Sequence, residues 1–352
     1  MRGISFKLEQ YFRDREFNLP LTLSSSDCET WTPSQLFALQ GDAAACEEMR
    51  RRYEETPLGY TESQGHPELR EAIARLYRTM EAENILIGAP EELIYLTMWQ
   101  CLEPGDHVIA MFPAYQSLYA LAEDRGCEVS LWQADEGWDF RIETLRVLLR
   151  DNTRMVIVNF PHNPTGAQLS GHVCVSLLAA LHDRRDVILF SDEMYRFLEF
   201  RPGTRLSPAC DMRENAISLG GMSKSFGLAG IRIGWIATAN EALTERILKG
   251  KDWTSICPPA PSEILAIAAL RAQHAILQRN LGIISQNLEV ARHFFNEEFP
   301  GIFSWVEPRA GSVCFPRPLA YMPIEEVCAA LERKEVLLVP GSQFDYPGNH
   351  FR

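Results

Sequence analysis

The sequence has no Cys-x-x-Cys pair. Its nine cysteines are scattered from Cys28 to Cys328, with no Cys/His cluster at zinc-ligand spacing. That excludes a zinc module, leaves no metal candidate, and reads the cysteines as reduced, mostly buried thiols. No apolar run approaches the length that spans a bilayer. Residues 1–20 carry Lys7, Glu9, Arg13, Asp14 and Arg15 where a secretory signal needs an apolar core. A cytoplasmic protein with no membrane partner is the expectation. Basic residues are in deficit, 34 Lys and Arg against 47 Asp and Glu, a net charge of -13. A broad footprint for nucleic acid is thereby excluded, and any anion must be held by a local site. Internal repeats, low-complexity linkers and long like-charge runs are also missing. What is present is a 352-residue chain, 46% hydrophobic and 23% charged, an ordinary globular composition of two-domain size.

Phe6, Leu8, Tyr11 and Phe12 fall near helical spacing and suggest an amphipathic arm, of a kind that packs on a partner subunit. A short strand from Leu21 runs into Ser24-Ser25-Ser26-Asp27, where Asp27 and Thr32 read as caps for a helix beginning near Pro33. Tyr60 lies in a glycine-bounded loop, and Ile85-Leu-Ile-Gly-Ala-Pro90 reads as strand, turn and helix start. Strands then alternate with helices. Strands are expected at His107–Phe112, Glu128–Trp132, Met155–Phe160, Val187–Ser191, Asn215–Leu219 and Ile233–Ala237. Helices are expected at Tyr115–Asp124, Ile142–Leu149, Val173–His182, Ser262–Ala272 and Ile283–Phe295. This pattern predicts an α/β fold around a mostly parallel sheet with helices on both faces. Strands at Phe303–Val306, Ser312–Phe315 and Val336–Val339, with a helix at Ile324–Arg333, predict a smaller α+β unit. The expected division is 1–40 for the arm and part of the small domain, 41–280 for the large domain and 281–352 for the small C-terminal domain.

In parallel sheets ligands gather beyond the carboxyl ends of the strands, so the residues just after each strand are informative. Tyr115 follows one and could stack on a planar ligand. Asn163 follows another, in a loop fixed by two prolines. Asp192 ends a third so apolar that its carboxylate needs a cationic or hydrogen-bonding partner. Ser223-Lys224 follows paired glycines, and Arg232 lies eight residues beyond Lys224. An amine beside a hydroxyl and a guanidinium suits a phosphorylated aldehyde. Ala89, Pro90 and Glu91 open a helix whose free amides could also receive an anion. Each feature by itself also describes an ordinary loop or helix start.

Together, Gly-Tyr60-Thr-Glu-Ser-Gln-Gly, Gly88-Ala-Pro-Glu, Pro113-Ala-Tyr115, Asn163-Pro-Thr-Gly, Asp192-Glu-Met-Tyr195, Ser223-Lys224 and Gly230-Ile-Arg232-Ile-Gly resemble the class I/II aminotransferases. These are fold-type I pyridoxal 5′-phosphate (PLP) enzymes with a seven-stranded sheet. The resemblance runs from about Ser24 to Arg352. It implies an aminotransferase exchanging the amino group of an L-amino acid with a 2-oxo acid through a Schiff base on Lys224. It implies that Asp192 keeps the pyridine nitrogen protonated and that Asn163 and Tyr195 bond the phenolic oxygen. Tyr115 would stack on the ring. Ser223, Arg232 and the amides around Ala89 and Glu91 would hold the phosphate, with Pro90 contributing no N–H. Tyr60 would reach the neighbouring site of a homodimer.

By the same resemblance Arg352, in Phe351-Arg352, would bind the substrate carboxylate, with Ser25 and Ser26 nearby. The family usually continues through a further strand and helix, so a chain cut short after Arg352, and a poorly supported Arg352, are expected. No arginine stands out for a dicarboxylate side chain, which leaves aromatic, neutral and basic amino acids equally open. A PLP-dependent lyase or cyclase, resembling cystathionine β-lyase, aminocyclopropane-carboxylate synthase or capreomycidine synthase, shares every residue named. A PLP-sensing regulator is disfavoured by the lack of room for a DNA-binding domain before the first motif.

Overall fold

Six strands run parallel and one runs against them. The computed structural model, which describes residues 4–320 and 322–352, places seven strands in one sheet. Their order is Ile85–Gly88, Gly234–Ala237, Ala216–Gly221, Ile188–Asp192, Thr153–Asn159, His107–Phe112 and Glu128–Gln133. Gly234–Ala237 is antiparallel to both neighbours; the other pairings are parallel. The central strands are apolar on both faces because both are covered. Alternation sends Val108, Ala110 and Phe112 into one core with Leu93, Ile94, Leu118 and Ile247. The intervening Ile109 and Met111 pack with Ile142, Leu145 and Leu177 on the other face. The expected α/β architecture is therefore present, with element ends shifted by one or two residues. No helix among the described residues is long and apolar enough to cross a membrane.

Three expectations need correction. The helix read from Ile283 begins at Gln273 and runs to Arg292, continuing as a π-helical turn, His293–Glu298. Ala272 alone separates it from Ala260–Arg271, so two helices meet at one residue with no turn signal between them. Ser312–Phe315 is not a strand. Gly311 has φ 81° and its N–H goes to Leu198 O, while Pro316 has no N–H to offer a ladder. The partner of Phe303–Ser304 is Arg317–Pro318. Third, the arm helix, Lys7–Arg13, folds on its own chain. Leu8 and Phe12, one turn apart, are buried with Trp138, Phe315 and Phe344. Lys7 N donates to Gln116 Oε1 at 2.9 Å and Tyr11 Oη to Leu338 O at 2.8 Å. Leu21–Thr22 pairs in parallel with Val336–Leu337, which brings residues 24–27 over the carboxyl end of the large sheet.

Candidate active site

Strand register brings the polar residues together. Asn159 lies opposite Asp192 and Asp192 opposite Leu219, so two side chains project from adjacent strand ends. Asp192 is buried, and one carboxylate oxygen accepts from Met194 N at 3.1 Å. Burial pushes its carboxyl up to about 7; the Glu193 charge adds to this, and the Met194 N–H and Lys224 oppose it. Asn159 donates from Nδ2 to Asp192 O at 3.0 Å and accepts at Oδ1 from Asn163 N at 2.8 Å. It locks the Asn163 loop to the Asp192 strand. Sequence reasoning passed over Asn159, which falls inside the strand expected at Met155–Phe160; its place at a strand end was the available signal.

Lys224 is held in the cleft by a loop that only glycine permits. Gly227 has φ +67°, and a Cβ there would lie 2.5 Å from Glu29 O. This close approach seats the loop against residues 26–29. Lys224 Nζ then donates to Ser26 Oγ at 2.8 Å. Burial lowers the lysine pKa, Asp27 is the strongest opposing charge, and Arg352 lowers it further. Asp27 is thus a missed site residue rather than a cap: Thr32 caps the helix Pro33–Ala38 in a capping box with Gln35. Ser26, expected near the substrate, is the acceptor for Lys224 Nζ. Ser25 is exposed and makes no hydrogen bond among the described residues.

Arg352 is well supported, contrary to expectation. Its Nη1 donates to Asn163 Oδ1 at 3.1 Å and Nη2 to Ser24 O at 3.0 Å. The guanidinium lies 5.6 Å from the Phe12 ring centre and 5.3 Å from that of Phe344. Its backbone pairs with Val339 through two hydrogen bonds of 2.8 and 3.1 Å. Arg352 Nε is nevertheless buried without a partner. So is Tyr195 Oη, on a side chain only 3% exposed, although the Ser26 hydroxyl lies near enough to act on it. Tyr115 rests against Phe6, ring centres 5.0 Å apart, and donates to Glu9 Oε1 at 2.7 Å.

Beyond the Ile85–Gly88 strand, Ala89 caps the helix Pro90–Cys101 with no side-chain bond, leaving the Glu91 and Glu92 amides as an anion site. The Glu91 side chain accepts from Ser117 Oγ at 3.3 Å, and burial pushes its carboxyl up to about 7 against that bond. Arg232 acts favourably on it and is held at φ 56°, a left-handed conformation unusual for a residue with a Cβ. Ser223 is buried and has no hydrogen-bond partner among the described residues. Tyr60 is 88% exposed and lines, with Gly88, Ala89 and Arg232, an open cleft of about 580 Å³; it touches nothing at the lysine end.

The arrangement gathers a lysine of lowered pKa, a buried carboxyl lacking a cation, an arginine with a spare N–H and an anion-binding helix start. The family model described as aminotransferase class I and II matches residues 36–352. Capreomycidine synthase of Streptomyces vinaceus is 29% identical over 348 residues, 96% of this chain and 86% of its own. A PLP-dependent aminotransferase from Streptococcus suis has a TM-score of 0.92 at 30% identity, covering 100% of this chain and 92% of its own. The PLP-dependent cyclase OrfR has a TM-score of 0.87 at 26% identity, again covering 100% and 92%.

Proposed function

Because the chain belongs to the class I and II aminotransferase family, has the fold-type I architecture and takes PLP as cofactor, we propose that it exchanges the amino group of an L-amino acid with a 2-oxo acid. One observation carries this reading: Arg352 lies near enough for its charge to lower the Lys224 pKa, and its Nε has no protein partner, which suits an amine working at the substrate's Cα and a cation for its carboxylate. The residues fit the cofactor. Asp192 lacks the cation that a pyridinium would be. Tyr195 Oη and Asn163 Nδ2 are free to donate to a phenolic oxygen, and Ser223, Arg232 and the Glu91 amide suit a phosphate. When bound, PLP supplies an electron sink that lets a Cα proton leave.

The protein's own tasks follow from its geometry. Lys224, whose burial favours the neutral amine, would take the Cα proton and return it elsewhere on the same face. Arg352, fixed by Asn163 and Ser24, would orient the substrate so that the breaking bond stands across the ring. The Tyr115 ring and the arm helix would exclude water. Tyr60, projecting from the surface, would serve a second copy, making the working unit a homodimer.

A cyclase that uses the same residues is the second reading, favoured by the near full-length likeness to capreomycidine synthase and OrfR. Incubation of the PLP-loaded protein with L-amino acids, with and without pyruvate or 2-oxoglutarate, followed by mass spectrometry, separates the two. Transamination forms an amino acid from the added oxo acid. A product formed from the amino acid alone would sink it.

The strained Arg232 gives a further expected result. Arg232→Gly removes the Cβ that disfavours φ 56°, so the cofactor-free variant should be about 1 kcal/mol more stable than Arg232→Ala in urea unfolding. Both variants should bind PLP about tenfold or more weakly by fluorescence titration, the loss expected for a charge-assisted phosphate contact.

A further inference from the structure

Lys224 follows the strand beside that of Asp192, but the ladder between the two strands stops short of it. Its last pair sets Asp192 opposite Leu219, and Lys224 lies three residues past Gly221, where its own strand ends. Within the loop, Gly227 N donates to Lys224 O at 3.1 Å and Leu228 N to Met222 O at 3.0 Å. Those bonds close the loop on itself and do not set its distance from Asp192. The crossing comes from the residue after the lysine. Ser225 is 1% exposed, and its hydroxyl lies 2.5 Å from Arg196 O and 3.2 Å from Met194 O. With one proton to give, it bonds the nearer carbonyl and keeps the other within reach.

These two carbonyls bracket Tyr195 and belong to the turn that aims Asp192, because Met194 N is the donor to the Asp192 carboxylate at 3.1 Å. The lysine loop and the carboxylate thus meet at one turn. That turn is strained: Phe197, next in the chain, has φ 80°, a conformation that a bulky residue keeps only where its surroundings over-determine it. Phe226, the neighbour of Ser225, packs on Phe197 with ring centres 6.3 Å apart. Behind the loop, Asn280, also 1% exposed, donates from Nδ2 to Ser225 O at 2.9 Å. Ser225 is therefore held at its carbonyl by the helix Gln273–Arg292 and at its hydroxyl by the turn. A methyl group would fill much the same space. A buried hydroxyl adds direction, since it costs free energy wherever it loses its acceptor.

We propose that Ser225 is a positioning residue: its hydroxyl, backed by Asn280, holds the Lys224 loop in register with the Asp192–Arg196 turn, so that amine and carboxyl meet the two ends of one ring. This rests on the reading of Lys224 as the amine that bonds the cofactor and of Asp192 as the partner of its nitrogen. The aldehyde carbon and the nitrogen of PLP lie on opposite sides of a planar ring that cannot stretch. Any change in the spacing of the two residues is therefore felt at the bond-forming end. A misplacement of about 1 Å costs about 10²-fold in rate, so loosening one hydrogen bond should cost about tenfold.

The test mixes cofactor-free full-length protein with saturating PLP and follows two events separately. Fluorescence reports binding, and borohydride quenching at timed intervals with mass spectrometry reports the covalent link at Lys224. Ser225→Ala should bind PLP within about threefold of the wild type yet form the link about tenfold more slowly. Ser225→Thr, which keeps the hydroxyl, should recover most of that rate. Asn280→Ala, which frees the Ser225 carbonyl, should slow the link in the same direction and carries the test if Ser225→Ala does not fold. A residue that only stabilises the fold would lower the urea midpoint or the PLP affinity and leave the rate of linkage at saturation unchanged. Linkage at the wild-type rate in both Ser225→Ala and Asn280→Ala overturns the inference and leaves the reading of Lys224 standing. If the wild type itself forms no link at Lys224, that reading fails and the positioning role falls with it.

Discussion

Lys224→Ala is expected to lose turnover by at least about 10³-fold, since on the proposed reading it removes the group that would serve both as covalent tether and as proton carrier. The geometry offers no substitute. Lys224 Nζ is the amine bonded to Ser26 Oγ, while Lys7 pairs with Asp345 and Lys251 donates to Ser63 O at 2.6 Å. PLP should still enter the variant, because Ser223, Arg232, the Glu91 amide and Asp192 are untouched. Binding and chemistry should therefore separate. Titration should show retained affinity for the cofactor, while borohydride reduction followed by mass spectrometry should find no cofactor attached to the protein. An added small primary amine should restore part of the proton transfer but not the tether. A borohydride-stable adduct on Lys224→Ala would mean that another residue holds the cofactor.

How much of this site the sequence could yield depends on which forces place each residue. Asp192, Asn163 and Ser223-Lys224 were legible because each follows an apolar strand, and a parallel sheet brings strand ends together whatever the loops do. Asp27 was misread as a cap. Its role depends on Gly227 lying against the carbonyl of Glu29 and on Leu21–Thr22 pairing with Val336–Leu337, more than 300 residues away. No local pattern encodes either contact. The arm was legible as an amphipathic helix but not in its docking, which is set by Trp138, Phe315 and Phe344 from distant segments. Arg352 shows the same limit from the other side: the motif identified it, yet its support comes from Ser24 O, Asn163 and Phe12. The short pairings after residue 300 were the least legible, because two-residue strands have no periodicity to read.

Asp192→Asn is expected to lower kcat/KM by about 10²–10³-fold while making the cofactor-free protein more stable at pH 8, a pairing of effects that a merely structural residue would not give. The activity loss follows from removing the anion that, on the proposed reading, would keep the ring nitrogen protonated. The stability gain follows from the carboxyl itself, which titrates near 7 in the folded state against a reference value of 3.8. A raised carboxyl pKa means that the folded state resists ionisation. Below about pH 4 the carboxyl is protonated in both states and costs nothing. As pH rises toward 7 the unfolded chain ionises first, stability falls, and above 7 the deficit is constant. The shift of about three units bounds that deficit at about 4 kcal/mol, with about 2 kcal/mol the more realistic expectation in a cleft that admits water. Asparagine keeps an acceptor for the Met194 N–H and carries no charge, so urea unfolding of the cofactor-free variant should show a shallower fall between pH 4 and 7. Some slope should remain, because Glu91 also titrates near 7. Saturating PLP should reverse the order, since the cation it brings favours the ionised carboxylate that only the wild type has. If Asp192→Asn is less stable than the wild type at pH 8 with no cofactor present, Asp192 is satisfied by the protein alone and is not waiting for a cationic partner.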